Sequence, residues 1–277
     1  RLVYRKIIKN PNSLQSSSIV NDMNPYFIRK GNPDLKTEKI NNFLFQATIH
    51  NYKNSMSLFS RINYQFSIDA IIQSIDIDED YVKTRSYQNS GNRKRFNSVI
   101  GLTKKINGLG VRYSLRNRFL YTTSNSIINL ELNDIEVNNF MVSLSFENYN
   151  KNNFDIKTGA SFTSNNTTFS IAKDLNRRYT KQQYFAMFDV DVSERLNFNT
   201  QFDFLIFTDD QFTEHQSFSL WNAAVSYNLS KNKKNILKLV FIDLLDNNID
   251  IYRRSTSNYF EETTSESLGR YVILSYT

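Results

Sequence analysis

Hydrophobic and polar residues alternate along most of this chain. In RLNFNTQFDFLIFT (195–208), Leu196, Phe198, Thr200, Phe202, Phe204 and Ile206 fall on one side, and Asn197, Asn199, Gln201 and Asp203 on the other. A period of two over about ten residues predicts a β-strand with one apolar and one polar face. SMSLFSRINYQFSI repeats it, with Met56, Leu58, Ile62, Tyr64, Phe66 and Ile68 against Ser57, Arg61, Asn63 and Gln65. So does GVRYSLRNRFLY, with Val111, Tyr113, Leu115, Phe119 and Tyr121 against Arg112, Ser114, Arg116 and Arg118. In SLWNAAVSYNL the apolar side is Trp221, Ala223, Val225, Tyr227 and Leu229. No sustained stripe of helical spacing occurs, and the abundant Asn, Ser, Thr, Phe, Tyr and Ile are poor helix formers.

Turn-forming residues divide the chain in a regular way. Short polar turns fall at NYKNS (51–55), NGLG (107–110), NYNKNN (148–153), VSERL (192–196) and SKNKKN (230–235). Between them come breaks at 9–38, 76–80, 122–134, 174–178, 208–213 and 245–264, most of them longer. About twelve strands result: 1–8, 39–51, 55–75, 81–106, 109–122, 135–149, 153–174, 178–192, 195–208, 213–230, 235–244 and 265–277. Several exceed the roughly 5–6 residues usual in globular proteins. One short and one long end to each hairpin is the asymmetry of outer-membrane barrels, whose tilted strands cross an apolar band about 25 Å tall. The predicted fold is all-β, a transmembrane antiparallel β-barrel. Tyr52, Tyr121, Tyr149, Tyr179 and Tyr227 lie at or near the predicted strand ends, where an aromatic girdle would sit.

Composition narrows the chemistry. There are 277 residues, 40% hydrophobic and 14% aromatic, enough for a large ordered structure. With no cysteine, there is no disulfide, Cys-ligated zinc site or thiol nucleophile. His50 and His215 are far apart and in no metal-ligand spacing. The longest apolar run, YFAMF (184–188), has five residues, far short of the ~20 of a membrane helix. The net charge of +7 comes from scattered lysines and arginines among 27 acids. The densest basic stretch, NRKRF (92–96), is short, so no nucleic-acid partner is expected.

GNPDLKTE (31–38) concentrates turn chemistry in a chain with 7 Gly and 3 Pro. Pro33 fixes its φ and disfavours the helical region for Asn32. Gly31 permits positive φ, and Asp34 can accept backbone N–H bonds in an Asx turn. Lys36 and Glu38 are expected on one side of the strand that follows. Gly31, Asn32, Pro33, Asp34, Leu35 and Lys36 are therefore expected to form a structural loop-to-strand transition.

The wider pattern is RLVYRKIIKNP, MNPYFIRK, GNPDLKTE and INNFLFQATI in that order, with LKLVFIDLLDNN and GRYVILSYT near the end. It resembles the TonB-dependent outer-membrane receptors of the Bacteroidetes type, departing at Thr37, where the family usually has proline. The resemblance implies that residues 1–277 are the C-terminal half of a barrel of roughly 22 strands. The plug domain and N-terminal strands would be absent from this chain. It implies uptake of a scarce solute (siderophore, glycan, peptide or vitamin) across the cell outer membrane, without catalysis or cofactor. The implied partners are outer-membrane lipid, the plug, the inner-membrane TonB complex and a surface lipoprotein. Solute selectivity would lie in the loops at 9–38, 122–134 and 245–264. The alternatives are a self-contained twelve-strand pore or outer-membrane enzyme, and a soluble β-rich binding module.

Two further groups carry candidate chemistry. Arg112, Arg116 and Arg118 alternate on a polar side that a barrel would turn to its lumen. They could pair with plug carboxylates or with Asp189, Asp191 and Asp203 on the polar sides of their own strands. Asp76, Asp78 and Asp80 alternate as in a calcium loop, but Tyr81 and Tyr87 replace the glycine and the distal glutamate, so no metal is expected. EETTSES (261–267) is expected to be a solvated loop. No Ser-His-Asp set, P-loop or catalytic carboxylate pair is recognisable.

Overall fold

The computed structural model describes residues 1–149, 153–171, 173–210, 216–230, 235–247, 249–255, 260–266 and 268–277. In chain order the elements are β1 (Leu2–Lys9), a one-turn helix α1 (Ser13–Ser16), β2 (Val20–Asn21), β3 (Phe27–Lys30), β4 (Glu38–Asn51) and β5 (Met56–Ile77). There follow β6 (Lys83–Ile106), β7 (Val111–Ile128), β8 (Glu131–Asn148), β9 (Phe154–Phe169), β10 (Arg177–Asp191) and β11 (Leu196–Asp209). Last come β12 (Gln216–Asn228), β13 (Ile236–Ile242), β14 (Ile249–Ser255), β15 (Phe260–Glu266) and β16 (Tyr271–Tyr276).

Twelve strands follow one another in an antiparallel path, β1-β4-β5-β6-β7-β8-β9-β10-β11-β12-β13-β16. They correspond one for one to the twelve strands expected from alternation. The path is open: β1 pairs with β4, β16 with β13, and no ladder joins β1 to β16 among the described residues.

Register carries one apolar face across the whole path. Phe202 opposes Ala186 on β10 and Trp221 on β12. Leu58, Leu102, Leu115, Leu144 and Ala160 stand in successive opposition from β5 to β9. Tyr4, Phe43, Tyr64, Phe96 and Tyr121 form an aromatic row across β1, β4, β5, β6 and β7, with the Tyr4 and Phe43 rings 4.9 Å apart. These side chains are not buried in the protein: Phe202 is 38% exposed, Trp221 42% and Leu144 38%. A sandwich would have covered this face. An apolar surface of this extent instead needs an apolar medium, and the alternating sheet supplies the lipid-facing side of a barrel.

The loops differ from expectation in four places. The expected break at 122–134 is strand: β7 and β8 run through it to a tight turn in which Asn129 (φ 50°) and Leu130 (φ 68°) adopt the left-handed conformation. That is the two-residue hairpin turn whose twist matches the flanking strands. Segment 9–38 is not one loop but holds α1, β2 and β3. The expected loop 245–264 holds β14 and the start of β15, paired as a hairpin, and EETTSES lies largely on β15 rather than in a loop. The turns NYNKNN and SKNKKN and the break at 208–213 lie partly outside the described residues. Of the five tyrosines, Tyr179 shares the polar face with Asp209, and Tyr121 is inside β7 because that strand continues to Ile128.

β5 and β6, at 22 and 24 residues, form an arm longer than the rest of the sheet. Within the sheet β6 lies between β5 and β7. In the arm the order changes: β5 pairs in parallel with β7 at Ser74–Ile75, and β6 pairs in parallel with β3 at Lys83–Arg85. The hairpin turns over at a pair of register shifts between Ser67 and Ile71, where Asp69 has φ 56°. The crossing brings the two backbones together, and a Cβ on Gly91 would lie 2.2 Å from Ile72 Cγ2. Ala70, Ile71, Ile72 and Ile75 are buried there, while most other large apolar side chains are on the exposed face.

The face assignment yields a direct test. Phe202→Arg puts a charge toward hydrocarbon and is expected to destabilise the barrel by about 2–4 kcal/mol if the position is near mid-bilayer. Gln201→Arg, on the polar face, is expected to cost far less. Equilibrium unfolding in lipid vesicles distinguishes them, and equal losses would contradict the assignment.

Candidate functional site

Many polar side chains on the face opposite the apolar one bond to one another along a strand or across to its neighbour. Asp189 accepts from Asn197 at 2.8 Å and from Asn199 at 3.0 Å, and Asp191 accepts from Asn197 at 3.0 Å. Asp203, which is buried, accepts from Gln183 at 2.9 Å and Gln201 at 2.7 Å. Asn42 accepts from Asn63 and Gln65, and Asn139 bonds to Asn165. Carboxamides and carboxylates thus form short chains across neighbouring strands, satisfying each other where the sheet limits access of water.

Register places Arg112, Arg116, Arg118, Asp189, Asp191 and Asp203 on this one polar face. It does not bring the two charge sets together. β7 and β10 are three strands apart, about 14 Å at the usual strand spacing. Arg112 pairs instead with Glu147 on β8, Nη1 to Oε1 at 2.8 Å. Both side chains are about one-third exposed, so the bond contributes little to stability. Arg116 and Arg118 are exposed and carry no ion pair among the described residues.

The Gly31–Lys36 loop is a built structure, but several of its expected roles change hands. Leu35 N–H donates to Asn32 O at 3.4 Å, closing a turn with Pro33 at its second position. The Asx acceptor is Asn32, not Asp34: Asn32 Oδ1 takes the Asp34 N–H at 2.9 Å, and its amide donates to Tyr87 O at 3.0 Å. Gly31 does not have positive φ; it is glycine because the backbone after α1 packs on it, and a Cβ would stand 2.3 Å from Ser17 O. Lys36 precedes the strand and is exposed, whereas Glu38 is fully buried, so the two do not share a side. The loop is tied to the arm by Asn89, which accepts from Lys36 N–H at 2.7 Å and donates to Lys36 O at 3.1 Å, as a strand neighbour would.

Three ion pairs at this rim have no counterpart in the sequence pattern. Glu38 meets Arg93 at 3.2 Å and Lys9 at 3.8 Å. Arg177 and Asp209, both nearly inaccessible, meet at 2.7 Å between β10 and β11, with a second bond from Nε at 3.1 Å. Glu38 and Arg93 are 55 residues apart, and only the register of β4, β5 and β6 joins them. Arg177 and Asp209 fall within the expected breaks at 174–178 and 208–213, and no local pattern marks them as a buried pair.

Asp76, Asp78 and Asp80 do not converge on a cation site. Asp76 is within β5, and Asp78 Oδ1 is occupied by the N–H groups of Asp80 (3.0 Å) and Val82 (2.8 Å), which cap the arm's tip. No cluster of three or more metal-ligating side chains occurs among the described residues. His50 is exposed and stacks near Tyr52 at 6.3 Å; His215 lies outside the described residues.

A family model described as "Outer membrane protein beta-barrel family" matches residues 1–174, more than half of the chain. No curated protein matches.

The two kinds of ion pair should behave differently. Asp209→Ala strands a buried guanidinium and is expected to cost about 3–5 kcal/mol. Glu147→Ala, which frees Arg112 at about one-third exposure, is expected to cost no more than about 1 kcal/mol. Denaturant titration of the refolded barrel checks both. A second backbone test is Gly31→Ala, expected to loosen the 9–38 segment and speed amide exchange of Asn32 and Lys36 while leaving β10–β12 protected.

Proposed function

The chain belongs to the outer membrane protein beta-barrel family, and from that premise we propose that it forms part of the barrel of an energised receptor that imports a scarce solute. The observation that carries this is the open twelve-strand path. A sheet edge in hydrocarbon leaves backbone groups unsatisfied at a cost of several kcal/mol each. β1 and β16 therefore call for further strands, as in large barrels of roughly 22 strands that enclose a plug. The motif from RLVYRKIIKNP through GNPDLKTE to GRYVILSYT supports the same class.

In this proposal the polar face is the lumen. Arg112, Arg116, Arg118, Asp189, Asp191 and Asp203 face the plug, and the two arginines without ion pairs, Arg116 and Arg118, are the first candidates for its carboxylates. The 9–38 segment, the β5–β6 arm and 245–264 form the solute-facing rim, since a rigid scaffold with variable connections is how such proteins change ligand. Segment 122–134 drops out of that set because it is a tight hairpin. TonB would act on the plug from the inner membrane, and a surface lipoprotein would cover the rim. A self-contained twelve-strand pore would need β1 to pair with β16.

The expected outcome is twofold. The full-length protein in planar bilayers stays closed until its plug is unfolded with denaturant, and solute accumulation in cells ceases when TonB is deleted or the proton-motive force is collapsed. Free conduction by the intact protein, or accumulation unchanged without TonB, would replace the receptor with a passive pore.

A further inference from the structure

Three cations surround one aromatic ring in the arm. The parallel pairing of β3 with β6 sets Phe27 beside Lys83 and Arg29 beside Arg85, so all four side chains share a face of two adjacent strands. Arg29 Cζ lies 5.0 Å, Arg85 Cζ 4.8 Å and Lys83 Nζ 5.7 Å from the Phe27 ring centroid. The ring's negative faces attract each cation, but they supply no hydrogen-bond acceptor in its plane and do not cancel the repulsion among three like charges.

None of the three side chains has an ion pair or a side-chain hydrogen bond among the described residues. Asp76, on the neighbouring β5, opposes Thr84, so it belongs to the other face. Arg85 Nε is buried and has no hydrogen-bond partner. An orphaned buried donor in a folded protein signals a missing acceptor. Lys83 has its pKa lowered, first by burial and then by the adjacent Arg85, which marks a site where positive charge is already in excess.

We propose that Arg29, Lys83 and Arg85 form a binding site for a phosphate-type oxyanion, held on the arm by the Phe27 ring. A guanidinium presents forked donors that match phosphate oxygens; Arg29 and Arg85 set two such forks side by side, and Lys83, two residues along β6, adds a point charge beside them. The site lies along β6 beyond Phe96, the last aromatic of that strand's apolar face, and so outside the hydrocarbon. It does not depend on whether transport is energised. The anion can come from a soluble solute or from the headgroup of a membrane lipid, and the two sources are separable.

Pyrophosphate is titrated calorimetrically into the full-length protein in detergent, and the protein is also placed in nanodiscs of phosphatidylcholine with or without lipopolysaccharide. Wild type is expected to bind pyrophosphate, or to be protected from exchange at 83–87 by lipopolysaccharide. Binding is expected to weaken at least about tenfold in R29Q/K83Q/R85Q and to change less than about twofold in R61Q, at an exposed arginine of β5. Heat-modifiable gel mobility verifies folding. Should the triple variant not fold, R85Q alone is expected to lose about three- to tenfold, having lost one fork and kept two charges. A response to pyrophosphate identifies a soluble source, and a response to lipopolysaccharide alone identifies a lipid headgroup. No response to either, or a folded variant at Arg29, Lys83 and Arg85 that responds as wild type does, overturns the site.

Discussion

The satisfaction of backbone hydrogen bonds without water governs this molecule. In hydrocarbon each N–H and C=O must be paired within the protein, and a strand can do that only through its neighbours. The consequence is the unbroken antiparallel path from β1 to β16, in which chain order and spatial order agree except where β2, β3, β14 and β15 stand off the path. The same requirement makes alternation useful. Once the ladder fixes each strand's orientation, odd and even residues divide between lipid and polar side with no further choice.

That rule explains where the polar chemistry sits. Side chains on the polar face reach only across one strand spacing, so the carboxylates at 189, 191 and 203 are satisfied by carboxamides from the same or adjacent strands. The buried pair Arg177–Asp209 and the buried carboxylate Glu38, which meets a partly exposed Arg93, occur at the rim, where segment 9–38, the arm and the ends of β9–β11 limit access of water. Mid-sheet charges such as Arg116 and Arg118 stay exposed.

Above the apolar band the ladder no longer has to keep one order. The arm uses that freedom at Asp69 and Gly91, turning over so that β5 and β6 exchange neighbours. The exchange builds the small aliphatic core at Ala70–Ile75 and presents β6 to β3, which creates the Phe27 cluster. The GNPDLK loop locks this arrangement from the other side, through Asn32 to Tyr87 and Lys36 to Asn89.

Alternation along the sequence by itself determined the twelve-strand sheet, which residues share its apolar face, and the placement of Arg112, Arg116, Arg118, Asp189, Asp191 and Asp203 on the other. Those properties are local: a period of two and a turn residue decide them. Sequence also marked GNPDLK as a structural turn. Tertiary structure alone decided what each group touches. Arg112 chose Glu147 because strand register, not charge, sets the partner. Gly31 is glycine because a distant backbone presses on it, not because of its own φ. Residues 122–134 became a strand hairpin because paired neighbours override the turn preferences of Asn125, Asn133 and Asp134. The arm's crossing and the cation cluster on Phe27 depend on contacts between segments about 55 residues apart, and no local pattern of polarity encodes such contacts.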